Sequence, residues 1–518
     1  MASLRDLLSP RSGAPEAAGT ASSRKSQRPQ QSHRSLNEPV TGGHRIPLVL
    51  LAALAVAAAA SMWALITYPD ASRPYWGIIQ VLTDLHVYRW GGEHIEAGLP
   101  LYDGLIASLD PGQSWRGPMP WTYTPFAAAG FALLVPMSLQ LMEIVWVGGI
   151  FVSIFLVCRL ILGWLGYRSE ARTTWAAVFL SGAMLFTEPV RTTIWLGQIN
   201  MALLLLLVAD AASRGRLRGA LTGIAAGIKL TPAFMWAHFF VTRQFRALAV
   251  SIGTFALTIV IGAIIAPRDS LHYWSGGLLD AARIGNIDAP SNQSINGILA
   301  EYVFHGAPPV WAWLLVAVPA AIIALVIAHY VHARGQPQLA FVLSGMTGCV
   351  VSPFSWGHHW VWFVPLFVVL LHLLVRHARR GWALLAWVLP FALYFLVGAW
   401  SFVFPNPDQP TGAWIATGWF MSAQALSGFL GPFIREPYIV VWVLTLVLAP
   451  LVTALVRTGS KAADVAEEVD RADDHPDAGP RESPEAAELG PRRAERSKGV
   501  DPLRRSAEAP GAAPPPRR

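Results

Sequence analysis

A carboxylate, two amides, a lysine and a pair of histidines stand inside or beside apolar stretches of this 518-residue chain. Ionisable groups at membrane depth cost about 2.5–3.5 kcal/mol on insertion scales, and those that persist usually serve a function. Asp84 closes the mostly apolar stretch YWGIIQVLTDL, and in a helix it would share a face with Val87 and Tyr88. Asp is also a favoured helix N-cap, so periodicity alone leaves its role open. His86, Glu93 and His94 in the same segment read as a solvated face. Tyr123 lies in WTYTPF, where an aromatic anchor at the membrane interface is the plainer reading. Gln198 and Asn200 in WLGQINM lead into a run of leucines, and amides there either bond between helices or bind sugar hydroxyls.

Lys229 in AAGIKLTPAF is flanked by apolar residues and followed by Pro232, which interrupts a helical ladder. A buried lysine needs a counter-charge such as a phosphate, unless it snorkels to an interface. Asn292 and Gln293 in SNQSINGIL, and His358 and His359 in VSPFSWGHHWVWF, complete the set. Adjacent residues of a helix point about 100° apart, so at most one of the two histidines would face a given cavity. A histidine contacting phosphate or handling a proton suits that setting. The sequence has no HExxH and no Cys/His set at chelating spacing, and no metal is expected.

The elements that must position these groups are apolar. A bilayer core needs around 20 apolar residues as helix, and the stretch from Ile46 to Ile66 supplies them without a charge. Similar windows follow near 121–136, 139–163, 173–188, 198–212, 217–241, 246–266, 309–332, 338–353, 359–375, 381–404 and 437–456. About twelve transmembrane helices are therefore expected, in a chain with 14% charged residues where a soluble protein has about 25%. The window 217–241 is a candidate re-entrant pair around GIKLTP. Cys158 and Cys349 lie within apolar windows and read as small core residues.

Residues 1–45 and 458–518 are polar, rich in Pro, Arg, Ala and Ser or Glu, and are expected to be disordered cytoplasmic tails. Between them, residues 46–457 form the expected membrane domain. Basic residues favour the cytoplasmic side in short loops. Arg45 thus places the N-terminus inside and the 67–120 loop outside, while Arg376, Arg379, Arg380, Arg457 and Lys461 mark inner segments. The long 267–308 loop and the SPFSWGHH turn then fall outside, with both termini inside. The net charge of +7 is spread over tails and loops without the basic–aromatic interleaving of a nucleic-acid surface.

The ordered set DLHVY, GQIN, K-x-T-P, NQSING and SPFSWGHHWVW resembles the polytopic GT-C glycosyltransferases, in particular family 87 of actinobacteria, over about residues 45–457. That resemblance implies an all-α integral membrane fold with interfacial helices in the first extracytoplasmic loop. It implies an inverting α-1,2-mannosyltransferase that takes mannose from polyprenyl-phosphate-mannose, without a cofactor. The acceptor would be a glycolipid such as a phosphatidylinositol mannoside, lipomannan or lipoarabinomannan. Asp84 matches the position of the family's catalytic base, and a single base suffices for inversion. His358, His359, Lys229, Asn292 and Gln293 are candidates for the phosphate, and Gln198, Asn200, Tyr88 and Tyr123 for substrate contacts. A GT-C transferase for another lipid-phosphate sugar such as arabinofuranose shares these features. A lipid-sugar flippase is a further alternative, but no internal repeat supports it.

Overall fold

The computed structural model describes residues 43–66, 82–110, 118–276, 285–377, 390, 392–406, 409–418 and 431–473. Most of the expected tails, parts of the 67–120 and 267–308 loops, Arg379 and Arg380 lie outside the described residues. In chain order the helices are α1 (Leu48–Ile66), α2 (Thr83–Glu96), α3 (Pro125–Phe131), α4 (Leu139–Trp164), α5 (Ala171–Met184), α6 (Glu188–Leu196) and α7 (Asn200–Ala212). They continue with α8 (Ala220–Ile228), α9 (Met235–Val241), α10 (Phe245–Ile265), α11 (Pro267–Trp274), α12 (Ile295–Leu299), α13 (Val310–Ala333) and α14 (Pro337–Val351). The last are α15 (Phe363–His377), α16 (Gly431–Arg435) and α17 (Pro437–Asp473). The chain divides into two units, residues 1–450 and 451–518, and the polar site lies in the first.

Among the described residues, five helices are long and apolar enough to cross a bilayer: α4, α10, α13, Gly357–Arg376 and Pro437–Val456. A sixth candidate is the α6–α7 pair, bent by 120°, and four further apolar helices are only 10–17 residues long. The twelve sequence windows therefore do not become twelve long helices, and the physical cause is visible at the breaks. α6 stops at Gly197, whose φ of 69° is the left-handed conformation that glycine adopts without a Cβ penalty. Gly197 N–H donates to the Ile194 carbonyl and Gln198 N–H to that of Thr193, the double bond pattern that closes a helix C-terminus. The 217–241 window breaks where the sequence places it. α8 ends at Ile228, Lys229 is extended (φ −139°, ψ 133°), and a 3-10 turn over Thr231–Phe234 with Pro232 in its first turn leads into α9.

The all-α expectation is corrected in two loops. β1 (Leu105–Ile106) pairs antiparallel with β2 (Met119–Pro120), and β3 (Trp400–Asn406) with β4 (Gln409–Thr417). The second hairpin overturns helix for residues 400–404 of the 381–404 window. WSFVF is rich in aromatic and β-branched residues and runs into the turn-forming PNPDQP, which stops a helix and reverses the chain. At the other end of the chain, helix continues past residue 457 to Asp473.

α10 and α13 carry large apolar side chains on their outer faces, including Leu257, Ile264, Leu315 and Ile322. In water such faces would associate; in hydrocarbon they are at home. Cys158 and Cys349 are buried and free, as expected. The solvated face expected on α2 is overturned for His86 and Glu93, which are 3% and 8% exposed, while His94 stays partly exposed. Arg89 explains this: it pairs with Glu93 at 3.1 Å and donates to the carbonyls of Leu134 and Met137, drawing that side of α2 against the segment after α3. His86 meets Glu143 of α4 at 3.3 Å.

Candidate active site

The two chain breaks meet in one buried polar assembly. α2 enters it through Leu82, a non-glycine residue at φ 40°, a conformation that costs about 1–2 kcal/mol for a residue with a Cβ. Its N–H donates to the Trp195 carbonyl at 2.8 Å, which ties the start of α2 to the end of α6. Asp84, in the first turn of α2, thereby lies beside Gln198, just after the α6 cap. Gln198 Nε2 donates to Asp84 Oδ2 at 2.6 Å.

The amide of Gln198 is oriented from its other side. Its Oε1 lies 3.0 Å from the Tyr88 hydroxyl and 3.1 Å from that of Tyr123, and the two phenols are 2.7 Å apart. A phenol donates, so the amide oxygen turns toward the tyrosines and the NH₂ group is left for the carboxylate. Burial first, then the neighbouring Tyr123 and Asp84, hold the Tyr88 phenol well above its ordinary pKa, so it stays a donor. Tyr123, read from sequence as an interfacial anchor, is instead a buried member of this assembly.

From Gln198 the assembly continues along α7. Asn200 Nδ2 donates to the His358 carbonyl at 3.0 Å, and its Oδ1 accepts from Lys229 Nζ at 3.0 Å. Lys229 Nζ also lies 3.0 Å from His359 Nε2 and 5.4 Å from the centre of the Tyr123 ring. Neither of the two groups hydrogen-bonded to the Lys229 amine is acidic, and Asp84 is the carboxylate whose charge acts on it. Thr124 fixes the backbone beside it. Its hydroxyl caps α3 by accepting from Ala127 N–H, and donates to the Gly227 carbonyl at 2.5 Å, two residues before Lys229.

The histidines sit in a 3-10 turn, Gly357–Trp360, with ring planes at 81° and centroids 4.8 Å apart. His359 faces Lys229. His358 is buried beside it, and its Nε2 makes no hydrogen bond among the described residues. Asn292 and Gln293 serve the same turn through its main chain. Asn292 Oδ1 accepts from Ser355 N–H at 2.9 Å, Gln293 N–H donates to the Ser355 carbonyl at 2.8 Å, and Gln293 Nε2 donates to the Arg435 carbonyl at 2.7 Å.

One residue escaped the sequence reading. Glu188 is 2% exposed, and its carboxylate accepts from Thr192 and from Tyr438 at 2.5 Å each. It lies against Gly357, where any Cβ would overlap the carboxylate, so the turn holding the histidines rests on it. The signal was present as a lone acid in LFTEPV, at the end of an apolar window. Among the described residues, no cluster of His, Cys, Asp and Glu is arranged to hold a metal ion.

Apolar helices packed around a buried acid–amide–lysine–histidine assembly define a helical membrane protein with a buried polar centre. The chain belongs to glycosyltransferase family 87, whose model matches residues 121–353. That match takes in Gln198, Asn200, Lys229, Asn292 and Gln293 and does not reach Asp84 or the histidine pair. A polyprenol-phosphate-mannose-dependent alpha-(1-2)-phosphatidylinositol pentamannoside mannosyltransferase of Mycolicibacterium smegmatis is 33% identical over 347 residues, 66% of this chain and 81% of the relative. The corresponding phosphatidylinositol mannoside mannosyltransferase of the same organism is 32% identical over 328 residues, 59% and 73% of the two chains. A pentamannoside enzyme of Mycobacterium tuberculosis is 30% identical over 329 residues, 63% and 74%. No solved structure matches the chain.

Proposed function

We propose that this glycosyltransferase moves mannose from polyprenyl-phosphate-mannose to a mannosylated phosphatidylinositol-type glycolipid, forming an α-1,2 linkage with inversion. The observation that carries the reading is the continuous hydrogen-bonded path from Asp84 through Gln198 and Asn200 to Lys229 and His359. It sets a carboxylate at one end and a cation with an imidazole at the other.

Inversion requires a base on the face of the sugar opposite the departing group. Asp84 takes the proton of the acceptor hydroxyl as that oxygen attacks the anomeric carbon. The bond to the donor phosphate breaks, and the charge growing on the leaving phosphate is met by Lys229 and His359. Gln198 holds the carboxylate in position, with Tyr88 and Tyr123 behind it. Asn200 spaces the two ends, and Asn292 and Gln293 act by fixing the histidine turn. Phosphate is a good leaving group once its charge is neutralised, and in this reading Lys229 and His359 contribute to that neutralisation.

In the membrane the reading places the 67–120 and 267–308 loops and the histidine turn on the extracytoplasmic face, and both termini in the cytoplasm. α2 is then an interfacial helix of a GT-C fold with about twelve membrane segments, several of them short or broken. The lipid-linked donor and the glycolipid acceptor both reach the site from the bilayer.

Purified protein supplied with polyprenyl-phosphate-mannose and mannosylated phosphatidylinositol should yield a product with one more α-1,2-linked mannose. Asp84→Asn should lower kcat by about 10²–10⁴-fold with the acceptor KM little changed. Full activity in the variant would remove Asp84 as base. Transfer of arabinose in place of mannose, or lipid movement without product, would replace the donor assignment.

A further inference from the structure

α7 and α8 form a hairpin whose two open ends carry part of the polar site, since Lys229, just after α8, bonds Asn200 at the start of α7. The closed end, residues 213–219, lies at the far end of the 13 residues of α7, about 20 Å away at 1.5 Å rise per residue. Arg214, Arg216 and Arg218 stand in that turn, and the corner between α9 and α10 brings Arg243 and Arg246 to it. Arg246 Nη2 donates to the Arg216 carbonyl at 2.7 Å. Gly219 packs so closely on the Ala247 carbonyl that a Cβ there would overlap it.

Between Glu188 and Asp269 the sequence has one acid, Asp210, to set against these five arginines. Its carboxylate is already engaged, accepting from the N–H groups of Gly219 and Thr222 and from the Thr222 hydroxyl. Arg218 Nε is buried and makes no hydrogen bond among the described residues. The corner therefore carries an excess of positive charge. Beside it Leu217, Phe240 and Phe245 are exposed, with the two phenyl rings 5.9 Å apart.

Orienting a membrane protein needs only basic charge in a short loop. Here the charge converges from two separate segments, and all of it is arginine, whose planar fork matches phosphate oxygens. A soluble anion would leave Leu217, Phe240 and Phe245 in water, whereas a lipid satisfies the guanidiniums and covers the apolar side chains together. We infer that the 213–219 turn and the α9–α10 corner bind the phosphate head group of an anionic phospholipid, in the leaflet opposite the transfer site. The inference does not depend on which sugar is moved. Naming that leaflet cytoplasmic rests on the orientation proposed above. A lipid held there braces the closed end of the hairpin whose open ends carry Asn200 and Lys229.

The test is native mass spectrometry of the full-length protein in detergent, titrated with phosphatidylglycerol, phosphatidylcholine, glycerophosphoglycerol or inorganic phosphate. Phosphatidylglycerol should saturate the protein at concentrations where the other three do not. Arg216→Gln and Arg243→Gln should each weaken that binding about fivefold, the effect of one basic residue beside an anionic lipid surface. Leu217→Ser and Phe245→Ser should weaken it too, whereas Arg168→Gln, at an exposed arginine between α4 and α5, should not. Arg216→Lys should keep most of the affinity. If thermal unfolding shows one variant to be misfolded, the others decide. In sealed vesicles of known orientation, Arg216→Cys should react with a membrane-impermeant maleimide from the cytoplasmic side, since Cys158 and Cys349 are buried.

Equal binding of phosphatidylcholine, or a loss in Arg168→Gln as large as in Arg216→Gln, would reduce these arginines to orienting charges and overturn the site. Saturation by inorganic phosphate at the lipid's concentration, or undiminished binding in Leu217→Ser and Phe245→Ser, would replace the lipid with a soluble anion. Maleimide reaction from the outer side would overturn the leaflet. Selective lipid binding in protein that transfers no mannose would sink the transfer reading and leave this one standing.

Discussion

Gln198 connects the Asp84 carboxylate to everything behind it, because its amide donates to Asp84 and accepts from Tyr88 and Tyr123. Gln198→Leu removes both functions at nearly constant volume. It leaves two buried phenols short of a partner, at about 1–3 kcal/mol, and lets the Asp84 side chain change rotamer. The expected outcome is a lower denaturation midpoint together with a kcat at least about tenfold down, since misplacement of the base costs rate even where binding survives. A variant that loses stability but keeps wild-type kcat would show that Gln198 only fills space. Tyr88 adds a sign to the pH profile. Its pKa is raised, chiefly by burial, so its neutral form persists above the ordinary value of about 10. Rate measurements up to that pH should therefore show no alkaline limb from Tyr88, and Tyr88→Phe should not change the shape of the profile. A limb that vanished in Tyr88→Phe would contradict this.

Two elements place the phosphate-side groups, and neither touches substrate in the proposed reaction. The α3 N-terminus carries Thr124, which caps its own helix and also bonds the Gly227 carbonyl. Thr124→Val keeps the shape and removes both bonds. A cap is worth about 1 kcal/mol, so a matching fall in stability is expected, and the released α8 end should raise the donor KM more than it lowers kcat. Kinetics with donor and acceptor varied separately would check that split. The histidine turn rests on Glu188 at the start of α6, with Tyr438 and Thr192 as hydrogen-bond donors. Glu188→Ala strips a buried, fully engaged carboxylate and opens a cavity beneath Gly357. Leaving the Tyr438 and Thr192 hydroxyls without their acceptor costs about 1–3 kcal/mol for each group, read as a marked drop in unfolding temperature. Glu188→Gln, which keeps the shape and one acceptor, should recover most of it.

At the scale of the molecule, the long helices separate two kinds of surface. The inner faces bury the polar path, and the outer faces of α10 and α13 present Leu257, Ile264, Leu315 and Ile322. If those outer faces meet lipid, Ile322→Arg places a charge near mid-helix at about 2.5–3.5 kcal/mol on insertion scales. Membrane insertion of the α13 segment, scored by glycosylation mapping, should fall accordingly, while an Ile322→Leu control should insert normally. Unchanged insertion of the arginine variant would argue that this face of α13 is not lipid-facing.

The sequence by itself determined the solvent, the family and the cast. Apolar windows announce a bilayer because no other solvent tolerates them, and the polar exceptions stand out for the same reason. Asp84, Gln198, Asn200, Lys229 and the histidines were all legible as costly residues in apolar runs, and Pro232 marked the break at Lys229. Tertiary structure decided how they combine. Only the fold shows that Tyr123 orients an amide, that His359 and not His358 meets Lys229, and that Glu188 supports their turn. It also shows that several apolar windows are short or bent helices and that WSFVF forms a strand. The physical reason is range. Hydropathy and turn chemistry act within a few residues, whereas the bonds from Asp84 to Gln198 and from Lys229 to His359 span 114 and 130 positions. Such contacts exist only once the helices that carry them have packed.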